Sequence, residues 1–417
     1  MRSEIRIVSG RTAAATVKRL ATRGTQFAAL EPRVRRIVNE VRNDGDRALR
    51  RYAERFDGLA PNQPLQVSEE EIATAWRSLQ APLRKALRQA AQNIRRFCQW
   101  QKTRDWTRTR NGISLGQISR PLESAGCYVP SGRHPLISTL LMTVIPGQVA
   151  GVKNIRVVSP KPSPEVLAAA AMLGVREVYR VGGAQAISAL AYGTRSIGRV
   201  DKIVGPGNAY VTVAKKLVSF DCAIDFLAGP TEALILSHSG IPEFIAADLV
   251  AQAEHDPDAL SIFLTTSRRL AASVGHGIHR LAQNNAVAQE SLRRHGVILI
   301  AGSREEARAW ANVLAPEHIT VDAEDLPFIH DAGSIFVGDY SAQAAGDYAS
   351  GPNHVLPTSG QARFRGGLSV ADFMKVITVQ QLSAAGLRRI APAVECLAAA
   401  EGLPAHARSV RLRCEHA

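Results

Sequence analysis

The segment AADLVAQAEHDPDA, residues 246–259, ends a helical pattern on Gln252, Glu254 and His255 before Pro257 breaks it. At about 100° per residue, Ile245, Leu249 and Gln252 fall on one stripe, with Gln252 roughly 20° from Ile245. The amide therefore continues the apolar face, and Asp248 and His255 flank that face on the same side. Side chains three apart on a helix can reach one point, so Gln252 and His255 could share a metal ion. Asp347 in AAGDYASGPNHVLP and His406 in EGLPAHARS are further candidate ligands. A nitrogen and oxygen set of this kind suits zinc or a neighbour in its series, and the lack of thiolate argues against a closed structural site. The alternative is structural: Gln252 caps a buried carbonyl and His255 is a hydrogen-bonded core histidine, as buried polar groups normally are.

A second pair stands in LAPEHITVDAED, where Glu317 and His318 come immediately before a strand pattern. Neighbours entering extended chain point to opposite sides, which suits two separate tasks better than joint ligation. A carboxylate can position and deprotonate water, and an imidazole titrating near neutrality can shuttle protons. An exposed Glu–His pair at a strand start is the structural alternative. His354 lies in the Gly/Pro-rich stretch GPNHVLP, part of a loop too long for connection alone, which favours function. His134, His238, His276, His279, His295, His330 and His416 sit in no such constellation.

No G-x-G-x-x-G occurs, so the common dinucleotide fingerprint is absent. Three strand-to-helix turns nevertheless join small residues to a polar one: VGGAQA, VGPGNAYV and LAGPTEA. Ligands of a doubly wound sheet bind beyond the carboxyl ends of its strands. The turns place Gln185, Asn208 and Thr231 at such a rim, with Tyr128 of CYVPSG beside them. Each turn alone reads as a structural turn; together they favour a cofactor cleft.

The elements that must hold these groups follow from periodicity. Residues 31–103 are mostly helical, interrupted by an Asn-Asp-Gly turn in RVRRIVNEVRNDGDRALRRYAERF. From about residue 119 strands and helices alternate: IRVVSP, REVYRV, RVDKIV and CAIDFLAG read as strands, with helices between them. A second series contains EALILS, LSIFLTT, GVILIAG, HITVDA and SIFVGD, with helices over roughly 267–285 and 303–314. Short connections between alternating elements indicate parallel sheets covered by helices, here two Rossmann-like units. A Gly- and Pro-rich strip over 346–367 leads to a helical tail.

The 417 residues exceed one typical domain, and 46% hydrophobic with 21% charged residues is ordinary globular composition. The net charge of +14 is spread along the chain, and with 5% aromatics there is no stacking platform, so a nucleic-acid partner is not expected. Cys98, Cys127, Cys222, Cys396 and Cys414 form no C-x-x-C pair and read as reduced, mostly buried thiols. The opening MRSEIRIVSG lacks a signal-peptide core, and HPLISTLLMTVIPGQVAGV is broken by proline. A cytoplasmic protein without membrane spans is the expectation.

Read together, CYVPSG, VGGAQAISALAYGT, VDKIVGPGNAYVTVAKKLV, IDFLAGPTE, AADLVAQAEHDPDA, APEHI, GDYASGPNHVLPT, GLSVADFMKVITVQQLS and EGLPAHA resemble the histidinol dehydrogenase family. The resemblance runs in order from IVNEVRNDGDRALRRYAERFDG to AHARSV, nearly the whole chain. It implies an α/β homodimer of two incomplete Rossmann-like, aldehyde-dehydrogenase-like domains, with a helical N-terminal region and a small helical C-terminal domain. It implies zinc on Gln252, His255, Asp347 and His406, the last supplied by the partner subunit together with Glu401. Glu317 and His318 match the catalytic pair, and Tyr128, Gln185 and Asn208 match contacts to NAD. The implied substrate pocket holds Thr231, Gln252, His255, Glu317, Asp347, His354, Glu401 and His406. The expected division is an arm over 1–20, a first domain over 21–118 plus 232–364 with the metal and catalytic residues, a second over 119–231 on the cofactor side, and a dimerisation tail over 365–417. YVPSG, GPTE and GPNH stand where Tyr-Val-Pro-Gly-Gly, Gly-Pro-Ser-Glu and Gly-Thr-Asn-His are frequent; none of these changes removes a ligand or an acid–base group.

The implied reaction is oxidation of L-histidinol through its aldehyde to L-histidine with two NAD, the last step of histidine biosynthesis. A related zinc and NAD dehydrogenase acting on another small polyol or sulfonated diol is an alternative that substrate profiling separates. A zinc hydrolase using Glu317 would need no nicotinamide, and a non-catalytic basic protein would need salt-sensitive nucleic-acid binding.

Overall fold

The computed structural model describes residues 5–24, 27–131 and 136–416. Among these, one parallel sheet has six strands in the spatial order Arg6–Ser9, Val297–Ile300, Leu260–Thr265, Glu232–Leu236, His318–Val321 and Ser334–Val337. A second parallel sheet has five, in the order Glu177–Tyr179, Asn154–Val158, Ser124–Tyr128, Lys202–Val204 and Ala223–Ile224. Strands covered on both faces become continuous apolar runs rather than alternating ones. Leu260–Thr265 is buried along its whole length, as is Glu232–Leu236 despite its leading carboxylate. The connecting helices start where a short polar side chain can accept first-turn amides. Ser163, Asn208, Ser267, Asn285 and Ser303 all do so.

The packing departs from the expected division in three places. Arg6–Ser9 is no free arm but an edge strand paired with Val297–Ile300. The helices Glu31–Asp44 and Asp46–Tyr52 bury Val34, Ile37, Val38, Val41 and Leu49 with residues of the five-stranded sheet, not the six-stranded one. Ala81–Gln101 likewise buries Leu87 and Ile94 with Cys127, Val157 and Val178. Amphipathic helices carry no label for the sheet they cover, which is why sequence order misassigned them. The third departure is the tail. It opens with the strand Met374–Leu382, antiparallel to Ile113–Pro121, which in turn pairs with Trp106–Arg110. Only then do the helices Ala384–Ala400 and Pro404–Glu415 follow.

Smaller differences are local. The CAIDFLAG strand is reduced to Ala223–Ile224, and the helix expected over 267–285 stops at Leu281, before a separate one at Ala286–His295. The five cysteines are free, with Cys98, Cys127 and Cys222 buried; burial pushes their thiols up to about 11, 12 and 12. Among the described residues no helix is long and apolar enough to cross a membrane.

Phe263 is fully buried at the centre of the six-stranded sheet, packed with Ile245, Leu249 and Val274. Truncating a buried aromatic leaves a cavity its neighbours cannot fill, so Phe263→Ala is expected to cost about 3–5 kcal/mol. A urea transition lowered by less than about 1 kcal/mol would mean this layer is not a rigid part of the core.

Candidate active site

The expected catalytic groups meet at the amino-terminal ends of two neighbouring strands. Glu232–Leu236 and His318–Val321 are paired with His318 opposite Ala233. This register sets Thr231 and Glu317, each one residue ahead of its strand, side by side. The Thr231 hydroxyl donates to Glu317 Oε2 at 2.6 Å, and the Glu232 amide donates to the same oxygen at 2.8 Å. The Gln252 Nε2 in turn donates to Thr231 Oγ1. Because that hydroxyl spends its proton on Glu317, only the NH₂ end of Gln252 can face it. The carboxamide oxygen of Gln252 is thereby left for other partners.

Glu317 and His318 do not point to opposite sides. Glu317 precedes the first strand residue, where pleat alternation does not yet apply, and two donors draw its carboxylate inward. Both side chains are buried and line one cavity, with His318 Nδ1 3.8 Å from Glu317 Oε2. His318 Nδ1 also lies 3.4 Å from the Glu232 carbonyl, and its Nε2 lies 3.6 Å from Asp347 Oδ1. Burial pushes the Glu317 carboxyl up to about 7, against the pull of His318 and of the Thr231 hydrogen bond. For His318 burial acts downward, but Glu317 and Asp347 outweigh it and the net shift is upward. Asp347 is half-buried, which raises its proton affinity, but the imidazoles of His318, His354 and His255 around it outweigh that and hold it below the usual carboxylate range. Both members of the Glu317–His318 pair thus hold a proton more tightly than in their free forms, Glu317 near neutrality.

The cavity measures about 200 Å³ and is lined by Thr231, Gln252, His255, Glu317, His318, Asp347 and His354, among others. His354 Nδ1 donates to the Asp347 carbonyl at 2.8 Å, which fixes the ring over the loop that carries Asp347. Burial lowers the affinity of His354 for a proton. That loop is tied down from outside: Asn93 Nδ2 donates to the Ala349 carbonyl at 2.9 Å and Asn353 Nδ2 to the Met142 carbonyl at 2.7 Å.

His255 differs from the expectation. The helix Pro242–Ala253 stops short of it, and its side chain is exposed at the cavity edge rather than buried on the helix face. A core-histidine role is therefore excluded. Gln252 is buried, as its place on the apolar stripe requires. Glu254 faces away and accepts from Asn285 Nδ2 at 2.9 Å. His406 and Glu401 are exposed on the C-terminal helical hairpin and do not line this cavity within one chain. His134 lies outside the described residues.

A second cavity of about 540 Å³ is lined by Tyr128, Gln185 and Asn208. Tyr128 is buried, its hydroxyl accepts from the Gly183 amide at 3.0 Å, and burial pushes its proton affinity up to about 12. Asn208 caps the helix Ala209–Val218, accepting from the Tyr210 and Val211 amides at 3.0 and 3.2 Å. Gln185 is tied to a residue the sequence reading missed: its Nε2 donates at 3.0 Å to Asp57 Oδ2, which also accepts the Gly182 amide at 2.9 Å. Lys161 and Arg33 stand in the same wall. Glu232 was missed too; Arg23 clamps its carboxylate at 2.5 and 2.6 Å, and the Ser359 amide adds a bond at 2.9 Å. A carboxylate in GPTE and another in RFDG were the available signals, but nothing local distinguishes them from surface acids.

The model of the histidinol dehydrogenase family matches residues 20–414. A histidinol dehydrogenase of Methanothermobacter thermautotrophicus is 47% identical over 90% of this chain and 92% of its own. That of Gluconobacter oxydans is 45% identical over 95% of each. The crystal structure of histidinol dehydrogenase from Elizabethkingia anophelis superposes with a TM-score of 0.94 at 36% identity, covering 99% of this chain and 98% of that one. With the family model spanning the two strand ends and both cavities, the chain belongs to the histidinol dehydrogenase family and is an oxidoreductase of histidine biosynthesis.

Proposed function

We propose that the chain oxidises L-histidinol to L-histidine in two successive hydride transfers at the 200 Å³ cavity, with zinc and NAD, as a cytoplasmic homodimer. The observation that carries this reading is the convergence of Glu317, His318, Gln252, His255 and Asp347 on that one cavity. Gln252 offers a carboxamide oxygen, His255 an imidazole and Asp347 a carboxylate, a donor set that suits zinc with an open position. Among the described residues no three His, Cys, Asp or Glu side chains close on one point. The three donors Gln252, His255 and Asp347 leave a tetrahedral zinc one ligand short, and the partner's His406, with the partner's Glu401 beside the substrate, would complete it. The 540 Å³ cavity suits a dinucleotide, because the helices that begin at Gly183 and Ala209 present their amino ends there beside Lys161 and Arg33.

When bound, zinc would hold the imidazole and amine of the substrate and NAD would accept hydride. The chain's own groups handle protons. With Nδ1–H directed at the Glu232 carbonyl, His318 has Nε2 free to take the alcohol proton. Asp347 at 3.6 Å and Glu317 at 3.8 Å favour the imidazolium that results. In the second half Glu317 would take a proton from the water that attacks the aldehyde, giving the monoanion of the gem-diol, which can lose the second hydride to leave the carboxylic acid. Thr231 keeps Oε2 occupied, so the other carboxylate oxygen is the one available to water. Enclosure retains the reactive aldehyde between the two steps.

Removal of metal by chelation is expected to abolish histidinol oxidation, and zinc to restore it. Thr231→Val deletes the hydroxyl that orients Gln252 and is expected to weaken zinc retention by roughly 10–100-fold. Chelator competition with metal analysis checks both; activity indifferent to chelation, or unchanged zinc affinity in the variant, counts against the assigned site.

A further inference from the structure

A buried ion pair outside both cavities sets the wall between them. Lys215, on the helix Ala209–Val218, is paired with Asp225, and their side chains are 2% and 0% exposed. Lys215 Nζ donates to the Gly205 carbonyl at 2.9 Å, and Asp225 Oδ2 accepts the Gly205 amide at 2.7 Å. Both backbone groups of one residue are thus held by the two members of the pair. Gly205 has φ +114°, and a Cβ there would lie 2.2 Å from the Tyr128 carbonyl oxygen, so the turn is pressed against a cofactor-cavity residue as well. Pro206, next in the chain, lines the smaller cavity, while Asn208 lines the larger. On the other side, Asp225 Oδ1 accepts the Phe226 amide at 2.6 Å, and Phe226 forms part of the smaller cavity. Arg365 stacks over the Phe226 ring at 4.6 Å and donates to the Asp225 carbonyl.

Desolvating two charges costs as much as their attraction returns, so a fully buried pair is weak support for stability alone. Its geometry here is directed at one turn. We infer that Lys215 and Asp225 are positioning residues: they fix the Gly205–Asn208 turn and thereby set how closely the occupants of the two cavities approach for hydride transfer. The inference rests on the reading that the larger cavity takes NAD and the smaller one histidinol. Neither residue lines either cavity, and each acts through Gly205 and Phe226.

The test replaces both charges at once, because removing one alone leaves the other buried and unpaired. The dimeric, zinc-loaded enzyme carrying K215M and D225N is compared with the unaltered chain and with R156M/E177Q, which removes the Arg156–Glu177 pair at 2.9 Å elsewhere in the same sheet. The K215M/D225N enzyme is expected to fold and to bind histidinol, measured by calorimetry without NAD, within twofold of the unaltered chain. Its kcat should fall roughly tenfold to a hundredfold, as for a small misplacement of reacting groups, and its KM for NAD should rise, while R156M/E177Q keeps both values. Values of kcat and KM for NAD within twofold of the unaltered chain would overturn the assignment, as would an equal loss in R156M/E177Q. A double variant that fails to fold is replaced by D225E, which keeps both charges of the pair but lengthens the arm that holds Gly205, and for which a smaller kcat loss of the same kind is expected. An unaltered chain that makes no NADH from histidinol removes the proposed function itself, whatever the variants do.

Discussion

Glu317→Gln is expected to lower oxidation of supplied L-histidinal by roughly 10²–10⁴-fold, the range for loss of a positioned base, and to affect histidinol-to-aldehyde turnover far less. The reason lies in where the two donors aim. Thr231 and the Glu232 amide both bond Oε2, so a glutamine can keep its carbonyl oxygen there and leave the surrounding geometry intact. Only the proton-accepting capacity is lost. The sign of the stability effect also follows. Burial raises the folded-state affinity of Glu317 to about 7, above its ordinary value of 4.5, so the ionised carboxylate opposes folding once pH exceeds the unfolded value. A neutral amide removes that cost, and at pH 8 the variant should melt no lower than the parent. Single-turnover NADH formation on each substrate checks the kinetic half. Equal losses on alcohol and aldehyde would take the water-activating role away from Glu317.

His318→Gln is expected to give the opposite pattern, with alcohol oxidation down roughly 10²–10⁴-fold and oxidation of supplied aldehyde much less affected. An amide can occupy the space near the Glu232 carbonyl but cannot accept a proton at the position of Nε2. Asp347, 3.6 Å away, would lose the cation it faces. If the aldehyde step fell as far as the alcohol step, a single residue would be serving both halves and the division of labour between the pair would be wrong. Measured together, the two variants form a crossed comparison that a general loss of folding cannot imitate.

How much of this was legible in the sequence depends on the range of the interaction. The apolar runs of Leu260–Thr265 and Val297–Ile300, and the capping side chains of Ser303 and Asn208, are local signals, and the corresponding elements appear where they were expected. The stripe through Ile245, Leu249 and Gln252 correctly buried Gln252, because helical periodicity alone decides that. Where the helix ended was less legible, and with it the exposure of His255. The attachment of Glu31–Asp44 to the five-stranded sheet could not be read, because its contacts are made with residues such as Ile187 and Val211, far along the chain. The same holds within the sites. Motif resemblance marked Glu317, His318 and Gln252, but the bond from Thr231 to Glu317 depends on strand register across 86 residues, and that from Gln185 to Asp57 spans 128. Nothing short in the sequence encodes such pairings.

Two oxidations at one site without release of the aldehyde fix the stoichiometry of the reaction. The zinc-loaded enzyme is given limiting L-histidinol and excess NAD, and NADH is counted at completion with an aldehyde trap present and absent. Two NADH per histidinol, unchanged by the trap, is the expected result. One NADH per histidinol, or two falling to one when the trap is added, would contradict it.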